Sequence, residues 1–227
     1  MKNLSTSLRL ILSGILLAAS CHGFSQNLVS NGDFEDFSSC PTGLSQFDRV
    51  SAWLNPSDST GISTPDFYNA CQSASCSVGV PQNRLGNGNS AYSGNGYIGM
   101  ITYYTVPPSP DTSTREYIAA ELTEVLQSGV EYELIFYVKR SPVSFYGTEI
   151  GAHISDTLPL QDGRFAYGFT PNLVETDTII DTTWQRVSVV FTGTGSEKYL
   201  TIGNFRNDAQ TSLASPGSFY DPCGILF

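Results

Sequence analysis

Carboxylates are plentiful among the side chains able to do chemistry, with 21 Asp and Glu against 11 Lys and Arg. Two of them, Asp33 and Glu35, flank an aromatic in the stretch Asn27-Leu28-Val29-Ser30-Asn31-Gly32-Asp33-Phe34-Glu35. An Asn-Gly turn signal directly precedes them. Carboxylates in a turn offer the oxygen ligands that calcium takes, or they are simply solvated. General acid–base work would need two carboxylates set across a cleft, or a histidine beside a nucleophile. No carboxylate pair sits in a distinctive motif. His153 alternates outward from Ile154 and has no Ser or Asp at a recognisable spacing, so it reads as a surface strand residue. The Gly-Asn runs at 86–89 and 94–96 are not phosphate loops, because no helix follows and no Lys lies in them. These patterns give no enzyme.

The cysteines concern compartment. Residues 1–25 read as a signal peptide: Lys2 and Arg9 supply the basic start, residues 10–19 an apolar run too short to span a bilayer, and Gly23 and Ser25 a small-residue cleavage site before Gln26. A retained anchor and lipid attachment at Cys21 are the alternatives, and Ala18 stands where a lipoprotein signal usually carries Leu. Cys40, Cys71, Cys76 and Cys223 remain, an even number in an exported chain, which reads as two disulfides. Cys40 and Cys71 share one loop-rich region and are expected to pair, leaving Cys76 with Cys223. A zinc site is disfavoured, since Cys71 and Cys76 are spaced too widely and His153 is far away. The formal charge of −10 drops further once Lys2 and Arg9 leave. Such a surface repels phosphate backbones and anionic lipid, which excludes nucleic acid as a partner.

The elements that must position these residues are β throughout. Residues 28–30 are expected as a short first strand. Residues 36–84 are rich in turns, with apolar anchors at Phe47, Val50, Trp53, Phe67 and Tyr68. Trp53 and Tyr68 read as plugs over the end of a sandwich. Residues 97–104 form an apolar, aromatic strand. Residues 115–122 mix strand and helix formers, and strand is the assignment. Residues 130–139 alternate: Val130, Tyr132, Leu134, Phe136 and Val138 on one face, Glu131, Glu133 and Lys139 on the other. Further strands are expected at 149–155, 184–192 and 198–205. Short strands with Gly and Pro turns predict an all-β antiparallel sandwich, a single domain over 26–227.

The order Asn31-Gly32-Asp33-Phe34-Glu35, Ser39-Cys40-Pro41-Thr42, Pro65-Asp66-Phe67-Tyr68-Asn69-Ala70-Cys71, Ser93-Gly94-Asn95-Gly96-Tyr97-Ile98-Gly99, Arg115-Glu116-Tyr117-Ile118 and Leu200-Thr201-Ile202-Gly203-Asn204-Phe205 resembles exported bacterial envelope proteins. Their ectodomain is a galactose-binding-like, carbohydrate-binding-module-like jelly roll, usually linked to OmpA-like or gliding-motility sorting domains. The resemblance implies a structural calcium at Glu35, with Asp33 beside it. It also implies a glycan-binding face, for which Tyr103, Tyr104, Tyr137 and Tyr146, and then Trp184, are the stacking candidates. Each of these aromatics equally suits covering a sheet face. The family's closing strand and its second domain are missing from the sequence, so the tail at 219–227 is expected either to dock against the sandwich or to mark a fragment. The reading is an exported, non-catalytic glycan-binding or adhesion module. A structural envelope protein with a protein partner is the alternative, and a polysaccharide-active enzyme the third.

Overall fold

The computed structural model describes residues 26–57, 63–73, 77–85, 88, 90–104, 113–144, 146–214 and 223–226, the last four by backbone alone. The expected signal peptide, Cys21 and the expected Cys76–Cys223 pairing lie outside the described residues. Ten strands form two antiparallel sheets: β1 Trp53–Leu54, β2 Asp66–Asn69, β3 Gly96–Tyr103, β4 Tyr117–Glu121, β5 Glu131–Arg140, β6 Gly151–Ser155, β7 Val174–Glu175, β8 Gln185–Thr192, β9 Tyr199–Gly203 and β10 Cys223–Leu226. One sheet runs β1-β4-β9-β6-β7 and the other β2-β3-β10-β5-β8. The chain is an all-β sandwich of the jelly-roll kind, as its alternation of apolar and polar residues predicts.

The core lies between the sheets. Ile118 and Ala120 of β4, Ala152 and Ile154 of β6 and Leu200 and Ile202 of β9 face Phe67, Ile98, Met100, Val138 and Val187 of the other sheet. The opposite face of the first sheet is also covered. There Tyr117, Tyr167, Phe169 and Phe205 form an aromatic layer, with Tyr167 and Phe205 stacked at 5.6 Å. A methyl group added at Gly203 of β9 would collide with the Tyr117 ring, so glycine is needed where this layer meets the sheet.

The structure corrects three expectations. The first strand at 28–30 reduces to a single bridge, Val29 with Leu122, because Asn31 (φ 52°) turns the chain at once. Lys139, assigned to the polar face, is 4 % exposed, its ammonium lying over the Trp184 ring. His153 is half-buried between Phe169 (4.8 Å) and Phe205, and burial lowers its pKa. Of the tail, residues 223–226 dock against the sandwich, one of the two outcomes expected: they form β10, paired to β3 through residues 99–103 and to β5 through Lys139 and Arg140.

The loop-rich segment is ordered by what it covers. Tyr68, Val78 and Tyr97 bury a second cluster against the outer face of β2 and β3, with Leu44, Val80, Leu85 and Trp184 packed on it. The Cys40–Cys71 disulfide closes the segment, as its placement predicts. Trp53 and Tyr68 are both buried, as expected, but Trp53 joins the main core and Tyr68 lies in this outer cluster rather than over the end of the sandwich.

Candidate functional site

Asn31 organises the entrance to the site. Its side-chain amide donates to the carbonyls of Asp36 and Ser51, each at 2.8 Å, and its side-chain oxygen accepts from the Asp36 N–H at 2.9 Å. Its backbone carbonyl accepts from the Trp53 indole at 2.9 Å. These bonds hold Phe34 against Trp53, with ring centres 5.2 Å apart. Asp33 is left exposed on the turn. Glu35 points elsewhere: its carboxylate accepts from the Asn95 N–H (2.5 Å), the Asn95 side-chain amide (2.8 Å) and the Gly96 N–H (2.9 Å). It is a clamp between the opening turn and the loop that begins β3.

A calcium ion wants six to eight oxygens. Here three N–H donors occupy the Glu35 oxygens, and among the described residues no cluster of three or more His, Cys, Asp or Glu side chains gathers. The donors present do not fit a calcium site, and no step is derived through one.

Behind this entrance a cleft of about 1000 Å³ enters the sandwich. Ile118, Leu200 and Ile202 wall it on one side and Tyr132, Leu134 and Phe136 on the other. Asp33, Glu124, Glu131 and Glu133 supply carboxylates along its length.

Four aromatic rings stand at its lip. Tyr92 lies flat on Tyr137, with ring centres 3.6 Å apart and planes 15° from parallel. Trp184 meets Tyr92 edge-on at 6.3 Å and Tyr97 edge-on at 6.1 Å. Each ring is braced. Tyr97 stacks on Tyr68 at 5.1 Å, and its hydroxyl accepts from the Asn83 amide at 2.6 Å. The Trp184 indole donates to the Ser90 carbonyl at 3.1 Å, and the Lys139 ammonium sits 4.8 Å over its ring. Burial lowers the Lys139 pKa and pushes Tyr97 up to about 12, the Asn83 bond holding it back. The hydrogen bond to Tyr137 raises Tyr92. Both shifts keep the Tyr92 and Tyr97 phenols neutral at physiological pH. Tyr92 is 52 % exposed, so one braced ring is offered to solvent.

Two of the five aromatic candidates, Tyr137 and Trp184, therefore meet. The other three do not join them. Tyr103 lies six residues further along β3 from Tyr97, about 20 Å away, under the Arg115 guanidinium at 4.6 Å. Tyr104 bridges Thr114, and the Tyr146 carbonyl accepts from the Ser144 hydroxyl. Tyr92 is the ring that sequence reasoning missed. It sits in a run of Gly, Asn and Ser whose turn chemistry has no use for an aromatic, and that mismatch was the available signal.

No family model matches this chain, and no curated protein matches it. Its fold is similar to solved structures at low identity. One is TmCBM61 in complex with beta-1,4-galactotriose, 15 % identical, covering 89 % of this chain and 94 % of that one with a TM-score of 0.43. Another is a cleaved adhesin domain of Lys-gingipain from Porphyromonas gingivalis, 18 % identical over 78 % of this chain and 87 % of that one, TM-score 0.43. A third is a family 16 carbohydrate binding module, 12 % identical over 88 % and 94 %, TM-score 0.42. Likeness at this level concerns architecture only, and the ligand question rests on the site.

Proposed function

We propose that this protein is an exported, non-catalytic glycan-binding module, with a sugar ring stacking on Tyr92 at the lip of the cleft. One observation carries the reading: an aromatic ring braced from beneath by Tyr137 and from the side by Trp184, yet half exposed beside carboxylates that can accept from sugar hydroxyls. A ring that served only to cover the sheet would bury its face; this one presents it. Stacking on a pre-braced ring avoids the entropy cost of ordering it on binding. Export is supported by the amino-terminal pattern of residues 1–25 and by the Cys40–Cys71 disulfide, which persists only where thiols are oxidised. Among the described residues no helix is long and apolar enough to cross a membrane.

A glycan array followed by calorimetry tests the reading, with and without EDTA. The expected result is selective glycan binding that survives EDTA and falls at least tenfold in Tyr92→Ala. Absence of any bound glycan in either condition overturns it. Binding abolished by EDTA would restore the calcium expectation on Asp33 and Glu35.

A further inference from the structure

Of the tyrosine pairs that meet among the described residues, two are sealed. Tyr68 stacks on Tyr97 at 5.1 Å, but both rings are buried. Tyr117 meets Tyr167 at 4.5 Å with planes 52° apart, and Tyr117 is buried with its hydroxyl committed to the Asn204 carbonyl at 2.5 Å. Tyr92 and Tyr137 differ from both. Their centres are 3.6 Å apart, their planes are 15° from parallel, and Tyr92 is half exposed.

The chain holds Tyr92 there from both sides. Just before it, the Ser90 carbonyl accepts from the Trp184 indole. Just after it, the Asn95 N–H and side-chain amide donate to Glu35. Tyr137 is fixed on β5, directly opposite Arg186 of β8. A centre separation of 3.6 Å between near-parallel rings is the thickness of a ring, so the two lie almost face to face. The hydrogen bond between the phenols turns both hydroxyls to the same end. The ring carbons ortho to the hydroxyls therefore lie over one another at about 3.5–4.0 Å, close to the ~3–3.5 Å of a near-attack pair.

We propose that Tyr92 and Tyr137 form an oxidative cross-linking site, joined Cε to Cε by a peroxidase-type one-electron oxidant acting with hydrogen peroxide. Each ring gives up one electron and its hydroxyl proton, leaving a phenoxyl radical with unpaired spin on the ortho carbons. The two radicals pair their electrons in the new carbon–carbon bond. The hydrogen on each bonded carbon then leaves as a proton and one returns to each oxygen through water, which restores both phenols. The two electrons and two protons released reduce one peroxide to two waters. The chain ends two hydrogen atoms lighter. Tyr92 is the point of entry, because its exposed ring can be reached by an oxidant that the sealed pairs exclude. Two rings held in contact couple faster than rings that must meet between molecules. The bond ties the loop at 90–95 to β5 and, like a disulfide, restricts the unfolded chain. This inference goes beyond the glycan reading: it uses the redox chemistry of the ring and needs no sugar.

The test treats the full chain, dilute, with a haem peroxidase and limiting hydrogen peroxide. The expected product is a monomer two hydrogen atoms lighter, with dityrosine fluorescence and a raised melting temperature. Its digest should join the peptides that contain Tyr92 and Tyr137. Tyr137→Phe keeps a ring in the stack but has no hydroxyl to oxidise, and should lose the product. Tyr92→Phe should lose it likewise, whereas Tyr167→Phe should keep it. In urea, where the pair is apart, selectivity for these two rings should disappear. An unchanged monomer mass, a lighter product that persists in Tyr137→Phe, or coupling mapped to other tyrosines or between chains overturns the site. Glycan binding is measured on the untreated protein, so failure of either proposal is read independently of the other.

Discussion

Glu116 → Gln should flatten the pH dependence of stability. Glu116 is 5 % exposed, and its carboxyl accepts from the Thr64 N–H at 3.1 Å and the Ile101 N–H at 2.7 Å. Burial, and then the neighbouring charge of Asp66, push it up to about 8, and the two N–H bonds pull it back only in part. The folded chain therefore holds a proton that the unfolded chain has released between pH 4.5 and pH 8. This group's contribution is fully present below pH 4.5 and is lost as pH rises towards 8. At about 1.36 kcal/mol for each pH unit of that interval, the ceiling is about 5 kcal/mol. That is comparable with the whole stability of many domains, about 5–15 kcal/mol. The amide of Gln is neutral throughout, and its oxygen keeps one of the two bonds. Its NH2 faces the other N–H donor, at a cost of about 1–3 kcal/mol. Urea unfolding at pH 5, 6, 7 and 8 should show the variant less stable than the parent at pH 5, with the gap closing or reversing by pH 8. Two other groups titrate in both proteins. Burial also raises Asp66, with the same sign as Glu116. His153 is lowered and opposes them: its contribution is present above pH 6.5 and falls as pH drops below it. Parallel curves for the two proteins would refute the reasoning.

Three further outcomes follow from particular contacts. The Cys40–Cys71 disulfide closes a separation of 31 residues, so Cys40→Ser should cost roughly 4 kcal/mol in denaturant unfolding, with the loss matched by reduction of the parent. Tyr92→Ala should reduce glycan affinity at least tenfold in calorimetry, whereas Tyr103→Ala, beneath Arg115 at the far end of β3, should leave it unchanged. Glu35→Gln replaces a carboxylate that takes three N–H bonds, and should lower stability by about 1–3 kcal/mol, with the parent's melting temperature unmoved by added calcium.

Local pattern carried much of the fold. The period of two in residues 130–138 needs no tertiary information, since only one face of a strand in a two-layer protein can be apolar. Residues 115–122 were ambiguous by propensity, and pairing of β4 with β9 settled them as strand. The opening stretch was over-read, because Asn31 satisfies its turn with side-chain bonds that leave no room for a strand. Lys139 was misplaced for the same kind of reason: alternation gives the face, but not which distant ring lies against it. The aromatic platform was half legible. Tyr137 and Trp184 stood out by type, whereas Tyr92 became their partner only through loop geometry.

The sequence alone determined the class of the protein: an acidic, β-rich chain whose alternation demands two packed sheets and whose cysteine count pointed to the disulfide found at Cys40–Cys71. Those properties depend on neighbours along the chain or on counts, and a sequence states both directly. The tertiary structure decided which rings meet at the lip and that Glu116 is buried beside Asp66. Both depend on strand order and register, where β10 enters the middle of a sheet. Register between segments so far apart is set by the whole core at once, and no local pattern encodes it.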